Sequence, residues 1–291
     1  MPDLKYCDKL FYKYRPINPN TDRLLKYNEL YFSHPDEFND PFDCKVDFYH
    51  KGTRDKWVTF FCQFQNMHPV EANSQVEDCL NNGTLEQEKD GLVLKRSFEF
   101  DEGNWLRACC FSETKKSILM WSHYTKKHEG ICLSFKSYSA GDYYLLPLDS
   151  EYVLPCFKVN YLNDKPQAVN LLDMNNTPEI KRIIGDFFII KSKHWKYEHE
   201  YRLLATINDL EGKKTVNFQK DALQGIIFGL RVKPDDAQHI KDIVDEYYKE
   251  IDVKLYTTEK VDGKYAIDVK EIEDFHKYIE LLEQAKSEVI D

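Results

Sequence analysis

Two carboxylates and a guanidinium fall at alternate positions in the stretch from Lys196 to Ala205, where Glu198, Glu200 and Arg202 follow His194 and Trp195. Read as a strand, the stretch sends Tyr197, His199, Tyr201 and Leu203 to one face and Glu198, Glu200, Arg202 and Leu204 to the other. Neighbours on one face are then about 6.5 to 7 Å apart at Cα, close enough for each charge to alter the protonation of the next. Arg202 would hold one carboxylate ionised while proximity raises the other, which suits general-base work or the stabilisation of a developing cation. The plainer alternative is a solvated ion pair on a half-exposed strand. The flanking Trp195, Tyr197 and Tyr201 make an odd solvent surface and a reasonable pocket wall, so Glu200 and Glu198 stand as the catalytic candidates with Arg202 beside them.

Further groups could bind a ligand. Tyr12-Lys13-Tyr14-Arg15 interleaves two cations with two rings, a pattern that suits a nucleotide diphosphate, since cations neutralise phosphate oxygens and rings take bases; an edge strand with exposed Lys and Arg is the alternative. Trp121, His123 and Tyr124 offer a stacking platform or a proton donor, although an aromatic helical stripe is more often core. Asn39-Asp40-Pro41-Phe42-Asp43 carries oxygen ligands for a divalent ion and equally the residues of a tight turn; the turn is the expectation, and no metal is assigned. There is no phosphate-binding glycine loop, no H-E-x-x-H and no G-x-S-x-G, and the 11 glycines are scattered, which argues against P-loop, zincin, hydrolase-elbow and Rossmann sites.

The elements that must position these groups are a mixed set. Strands are expected at Leu10–Arg15, Glu29–Ser33, Leu106–Ser112, Ile131–Phe135, Phe157–Tyr161, Leu223–Leu230 and Val253–Thr258. A short helix capped by Thr21 is expected at 23–28, and an amphipathic helix is marked by Trp57, Phe60, Phe61 and Phe64, with a second around Val76, Cys79 and Leu80. The charged 85–95 segment is expected to continue as helix, giving a helical insertion over about 51–97. Further helices are expected at 117–128, 178–191, from Pro234, and at about 268–289. With 291 residues and 42% apolar residues the chain reads as one α/β mixed (α+β) domain, a central mixed sheet with the insertion and C-terminal helices.

A net charge of -10 argues against non-specific nucleic-acid or anionic-membrane binding and leaves a local basic groove open. No apolar run reaches about 18 residues and no signal core follows Met1, so no membrane partner is expected and the protein is placed in the cytoplasm. The 8 cysteines lack paired spacing and read as buried thiols. The last helix could pack on the body or form a homo-oligomer.

Several motifs in order resemble a bacterial family, domain of unknown function 2971. They are Phe11–Arg15, Leu30–Pro35, Phe38–Asp43, Cys110–Ser112, Met120–Tyr124, Gly130–Phe135 and Trp195–Arg202, together covering roughly residues 10 to 235. The opening order, an aromatic strand with a basic residue, a short helix with paired leucines and a Tyr-Phe-Ser strand, is also similar to the start of ADP-ribosyltransferase-like domains, whose third motif is a strand with Glu-x-Glu. That resemblance implies NAD as substrate, Lys13 or Arg15 against the dinucleotide, Tyr31 or Ser33 as the second motif, and Glu200 as the catalytic glutamate. It implies a macromolecular acceptor and a toxin or phage-defence role. No Ser-Thr-Ser triplet is present, and Arg202 has no counterpart. Two alternatives stand beside it: a non-enzymatic ligand or protein sensor, and a metal-dependent phosphodiesterase or nuclease using Asp40, Asp43, Glu198 and Glu200.

Overall fold

The computed structural model describes residues 5–44, 47–95, 106–141, 143–149, 154–173, 182 and 185–287. In chain order its strands are β1 (Lys5–Arg15), β2 (Glu29–Tyr31), β3 (Phe48–Tyr49), β4 (Lys51–Gly52), β5 (Leu85–Glu88), β6 (Gly91–Leu94), β7 (Leu106–Ser112), β8 (Ile131–Ala140), β9 (Tyr143–Leu145) and β10 (Leu148–Asp149). They continue with β11 (Pro155–Lys158), β12 (Asn160–Leu162), β13 (Val169–Asn170), β14 (Ile190–Ser192), β15 (Glu200–Thr206), β16 (Thr215–Phe218), β17 (Leu223–Phe228), β18 (Lys254–Lys260) and β19 (Ile267–Glu271). The helices are α1 (Pro19–Lys26), α2 (Arg54–Phe64), α3 (Pro69–Asn81), α4 (Ile118–Tyr124), α5 (Pro234–Tyr247) and α6 (Phe275–Ser287). The fold is mixed α+β, as the alternation of strand and helix patterns predicts.

The chain divides into two compact units, one of residues 1–37, 106–159 and 194–291, the other of 38–105 and 160–193. In the first, β1, β7, β15, β11, β9 and β8 pair in that order and β8 pairs back to β1, closing a six-stranded barrel. Closure removes the open edges that a sheet would otherwise present. From β8 the sheet runs on through β17, β18 and β19. Strands β17 and β18 are parallel and joined through α5, the crossover unit that the pattern from Leu223 to Thr258 predicts.

Pleating sorts the barrel residues into two cores. Phe11, Cys109, Phe111, Leu133, Phe135, Tyr201, Leu203 and Ala205 point inward into the main core, which also takes Leu24 and Leu25 of α1. Tyr12, Tyr14 and Cys132 point outward and pack under Met120 and Trp121 of α4. Gly130 has no alternative at the start of β8, because a Cβ there would lie 2.2 Å from the Arg15 carbonyl oxygen.

In the second unit α2 and α3 bury Trp57, Phe60, Phe61, Val76 and Cys79 against Leu85 and Leu92. His68 caps α3 with Glu71 bonding back to its amide, a capping box.

Four expectations are corrected. The 85–95 segment is a hairpin of β5 and β6, paired from Leu85 with Leu94 to Glu88 with Gly91, and not helix. The turn signal is Asp90-Gly91, with Gly91 at φ 140, a conformation open to glycine. The stretch from Lys196 is not one strand: Lys193–Glu198 forms 3-10 turns and β15 begins at Glu200, with His199 between them at φ 46. The helix expected over about 268–289 is strand β19 followed by α6, since Asp268, Val269 and Lys270 pair with β18. The short first helix starts earlier, at Pro19, with Asn18 rather than Thr21 as its cap. The helix expected at 178–191 lies largely outside the described residues, and Ile190–Ser192 at its end is strand.

Candidate functional site

The corrected start of β15 determines what the two glutamates do. Glu200 and Arg202 remain on one outward face of the barrel, as strand alternation requires, while Glu198 reaches the same region from the end of the 3-10 segment. Both carboxylates are buried, Glu198 at 3% and Glu200 at 4% exposure, and Arg202 is at 0%. Arg202 grips Glu200 with two parallel bonds, Nε to Oε1 at 2.7 Å and Nη2 to Oε2 at 3.0 Å. This fork-to-carboxylate geometry is the strong, directional form of ion pair.

Glu198 is held from two sides. Its Oε1 accepts a short hydrogen bond from the Tyr124 hydroxyl at the end of α4. Its carbonyl accepts from Ser112 Oγ at 2.6 Å, across from Glu200 in the β7 to β15 register. Helix α4 is fixed in turn by its cap, Ser117, whose hydroxyl also donates to the Tyr197 carbonyl at 3.2 Å. Two motifs more than 70 residues apart are thereby locked together.

Beside the pair lies Cys110, directly across from Arg202 on β7. Burial pushes its thiol well above the ordinary value, and the Glu200 charge and a hydrogen bond to Glu200 push the same way, against Arg202 and Lys13. Such a thiol stays protonated and can donate to the carboxylate. From the sequence Cys110 reads as a buried thiol and as part of the Cys110–Ser112 motif, with no sign of its place beside Glu200.

Other predicted residues are placed elsewhere. Tyr14 donates to the Thr114 carbonyl at 2.9 Å and meets the fully buried Trp121 edge-on at 5.2 Å, so both fill the core beneath α4. His123 is exposed, its ring 6.1 Å from that of Tyr197. Tyr31, 42% exposed, donates to Glu37 at 2.9 and 3.1 Å. Ser33 pairs with Ala108, four residues of β7 from the row that holds Glu200, or about 13 Å along the strand. Lys13 and Arg15 lie on the inward face with Phe11, the opposite face from Glu200. The sequence motifs therefore bring Glu198, Glu200, Arg202 and Tyr124 together, and leave Tyr31, Ser33, Lys13 and Arg15 outside that group.

In the second unit, Asp40 Oδ1 accepts from the Phe42 amide at 2.9 Å, the bond of a tight turn, and Asp43 pairs with Lys191 at 3.3 Å. Among the described residues no three His, Cys, Asp or Glu side chains gather in a metal-holding group. No helix among them is long and apolar enough to cross a membrane.

The span from α4 to β15, which carries Tyr124, Glu198, Glu200 and Arg202, coincides with a known family pattern. Residues 120–203 match the family described as protein of unknown function (DUF2971). The resemblance drawn from the motifs is shown over this segment, and the DUF2971 match begins one turn before Tyr124 and ends one residue past Arg202. No curated protein and no solved structure matches the chain.

Proposed function

We propose that the chain is an enzyme acting on the glycosidic bond of NAD or a related nucleotide, with Glu198, Glu200, Tyr124 and Arg202 as its working group. The observation that carries this reading is the buried polar cluster inside the DUF2971 segment. Burying an ion pair and a second carboxylate generally adds less stability than apolar side chains of the same volume, so a fold gains little from such a cluster unless its chemistry is used. Within the reaction, the bond between nicotinamide and ribose breaks and positive charge builds on the sugar. A carboxylate stabilises that charge, and the second carboxylate takes the proton from the incoming nucleophile, which is water or an acceptor side chain. Tyr124 orients Glu198 and Arg202 orients Glu200. A role in toxicity or phage defence would follow from consumption of NAD.

The reading is tested by calorimetric titration of NAD into the purified protein, paired with Tyr124→Phe. That variant removes one hydroxyl and leaves the ring. Binding in the micromolar to millimolar range, with turnover reduced in Tyr124→Phe, supports the proposal; absence of nucleotide binding refutes it.

A second reading is favoured by the burial itself. Glu198 and Glu200 are each under a twentieth exposed. In a non-enzymatic sensor the cluster would tie α4 to β15 and relay binding elsewhere on the surface. Unchanged biological activity of Glu198→Gln would favour this sensor.

A further inference from the structure

Three cationic side chains line the inward side of the barrel where β1 and β7 part, and among the described residues none has a carboxylate partner. Between these two strands only Tyr12 and Ser112 are in register. Continuing that antiparallel register sets Lys13 level with Phe111 and Arg15 level with Cys109, and Arg107 lies one step further along the same face as Cys109. The contacts agree with this placement. Lys13 Nζ donates to Cys109 Sγ at 3.3 Å and to the Cys110 carbonyl at 2.9 Å, and sits 4.9 Å from the Phe111 ring centre. Arg15 donates through Nε to Thr21 Oγ1 at 3.3 Å, and burial pushes its guanidinium below the ordinary value.

Arg107 is the telling member. It is 8% exposed, and its Nε and Nη1 are buried with no hydrogen-bond partner. Its register neighbour on β15 is Ala205, which offers no acceptor to the guanidinium. The other end of the barrel shows the contrast. There Lys9 and Lys158 both reach Glu113, at 2.8 and 3.3 Å, and their charge is answered within the protein. At the Arg107 end among the described residues no carboxylate answers it.

A buried guanidinium with two unused donors is strongly disfavoured unless something accepts from it, and Lys13 and Arg15 both bring positive charge to Cys109, one step along the same face. We propose that Lys13, Arg15 and Arg107 form a binding site for a phosphoryl anion, either inorganic phosphate or the diphosphate of a nucleotide. Arginine forks match the paired oxygens of phosphate, and Lys13 supplies the compact charge beside them. The site is on the opposite face of β7 from Glu200 and does not depend on the glycosyl-transfer reading.

Thermal unfolding at constant ionic strength tests it, with inorganic phosphate, pyrophosphate and ADP added separately against chloride. The expected result is a saturable rise in Tm with at least one phosphoryl anion, and an apparent Kd at least tenfold weaker in Arg107→Met. That variant without anion should melt no lower than the parent, since it removes an uncompensated charge while keeping a side chain of similar length. If only phosphate and pyrophosphate act, the site takes a free anion; if ADP also acts with equal or greater effect, it takes a nucleotide diphosphate. No shift with any anion, or an unchanged shift in both Arg107→Met and Lys13→Met, overturns the proposal. Because no nucleotide turnover is read, failure here leaves the glycosyl-transfer reading intact, and loss of that reading leaves this one intact.

Discussion

At the scale of single residues, the Glu200 and Arg202 pair is costly to break and easier to replace. Removing only Arg202 leaves a carboxylate buried without its cation, so Arg202→Met is expected to destabilise the protein by about 3 to 5 kcal/mol. Replacing both partners with apolar residues of similar volume, as in Glu200→Leu with Arg202→Met, should restore most of that loss; urea unfolding of the three proteins measures it. His50 gives a second residue-scale effect. Burial lowers its pKa to about 4, so in the folded protein it stays neutral while the unfolded chain takes up a proton below the ordinary value of 6.5. Stability is therefore lost as pH falls from about 6.5 towards 4, by up to about 3 kcal/mol from this group. His50→Phe should flatten that part of the stability profile while leaving the neutral-pH value within about 1.5 kcal/mol of the parent. An unchanged acid limb would show that His50 does not contribute it.

At the scale of elements, the start of β8 is fixed by a backbone approach that no side chain survives. Gly130→Ala would drive a Cβ into the Arg15 carbonyl, and a loss of about 1 to 3 kcal/mol is expected by denaturant unfolding. This is the same strand pair that closes the barrel, with Arg15 registered against Ile131. The central strands and the paired helices α2 and α3 were legible because their apolar residues follow periods of two and of 3.6. The β5 to β6 hairpin was not, because Glu86, Glu88, Lys89 and Asp90 imitate the charge spacing of a solvated helix and outweigh one Asp-Gly signal. The 3-10 segment before Glu200 was hidden by alternating rings and charges that imitate a strand. Arg107 was passed over because a run of small and apolar neighbours reads as core; its inward parity with Cys109 and Phe111 was the available signal.

At the scale of the whole molecule, closure of the barrel was beyond a reading of local pattern. It depends on β1 pairing with β8 more than 100 residues later, a matter of register across strands and not of composition. The same closure explains why the cationic and carboxylate motifs do not meet: pleating sends Lys13 and Arg15 into the barrel and Glu200 and Arg202 out of it. The order of motifs along the chain sets Glu198, Glu200 and Arg202 close in sequence, whereas the contact of Tyr124 with Glu198 and the opposite faces taken by Lys13 and Glu200 depend on packing and register. The last helix, expected to pack on the body or a second subunit, sets Phe275, Tyr278, Ile279 and Leu282 against the main core of its own unit.

The most direct test of the proposed activity is release of nicotinamide from NAD, followed chromatographically for the parent, Glu198→Gln and Glu200→Gln, with circular dichroism confirming that each is folded. Measurable release by the parent and a fall of at least a hundredfold in both folded variants are expected. Release that continues undiminished when either carboxylate is an amide, or no release by the parent under conditions where NAD binds, would contradict it.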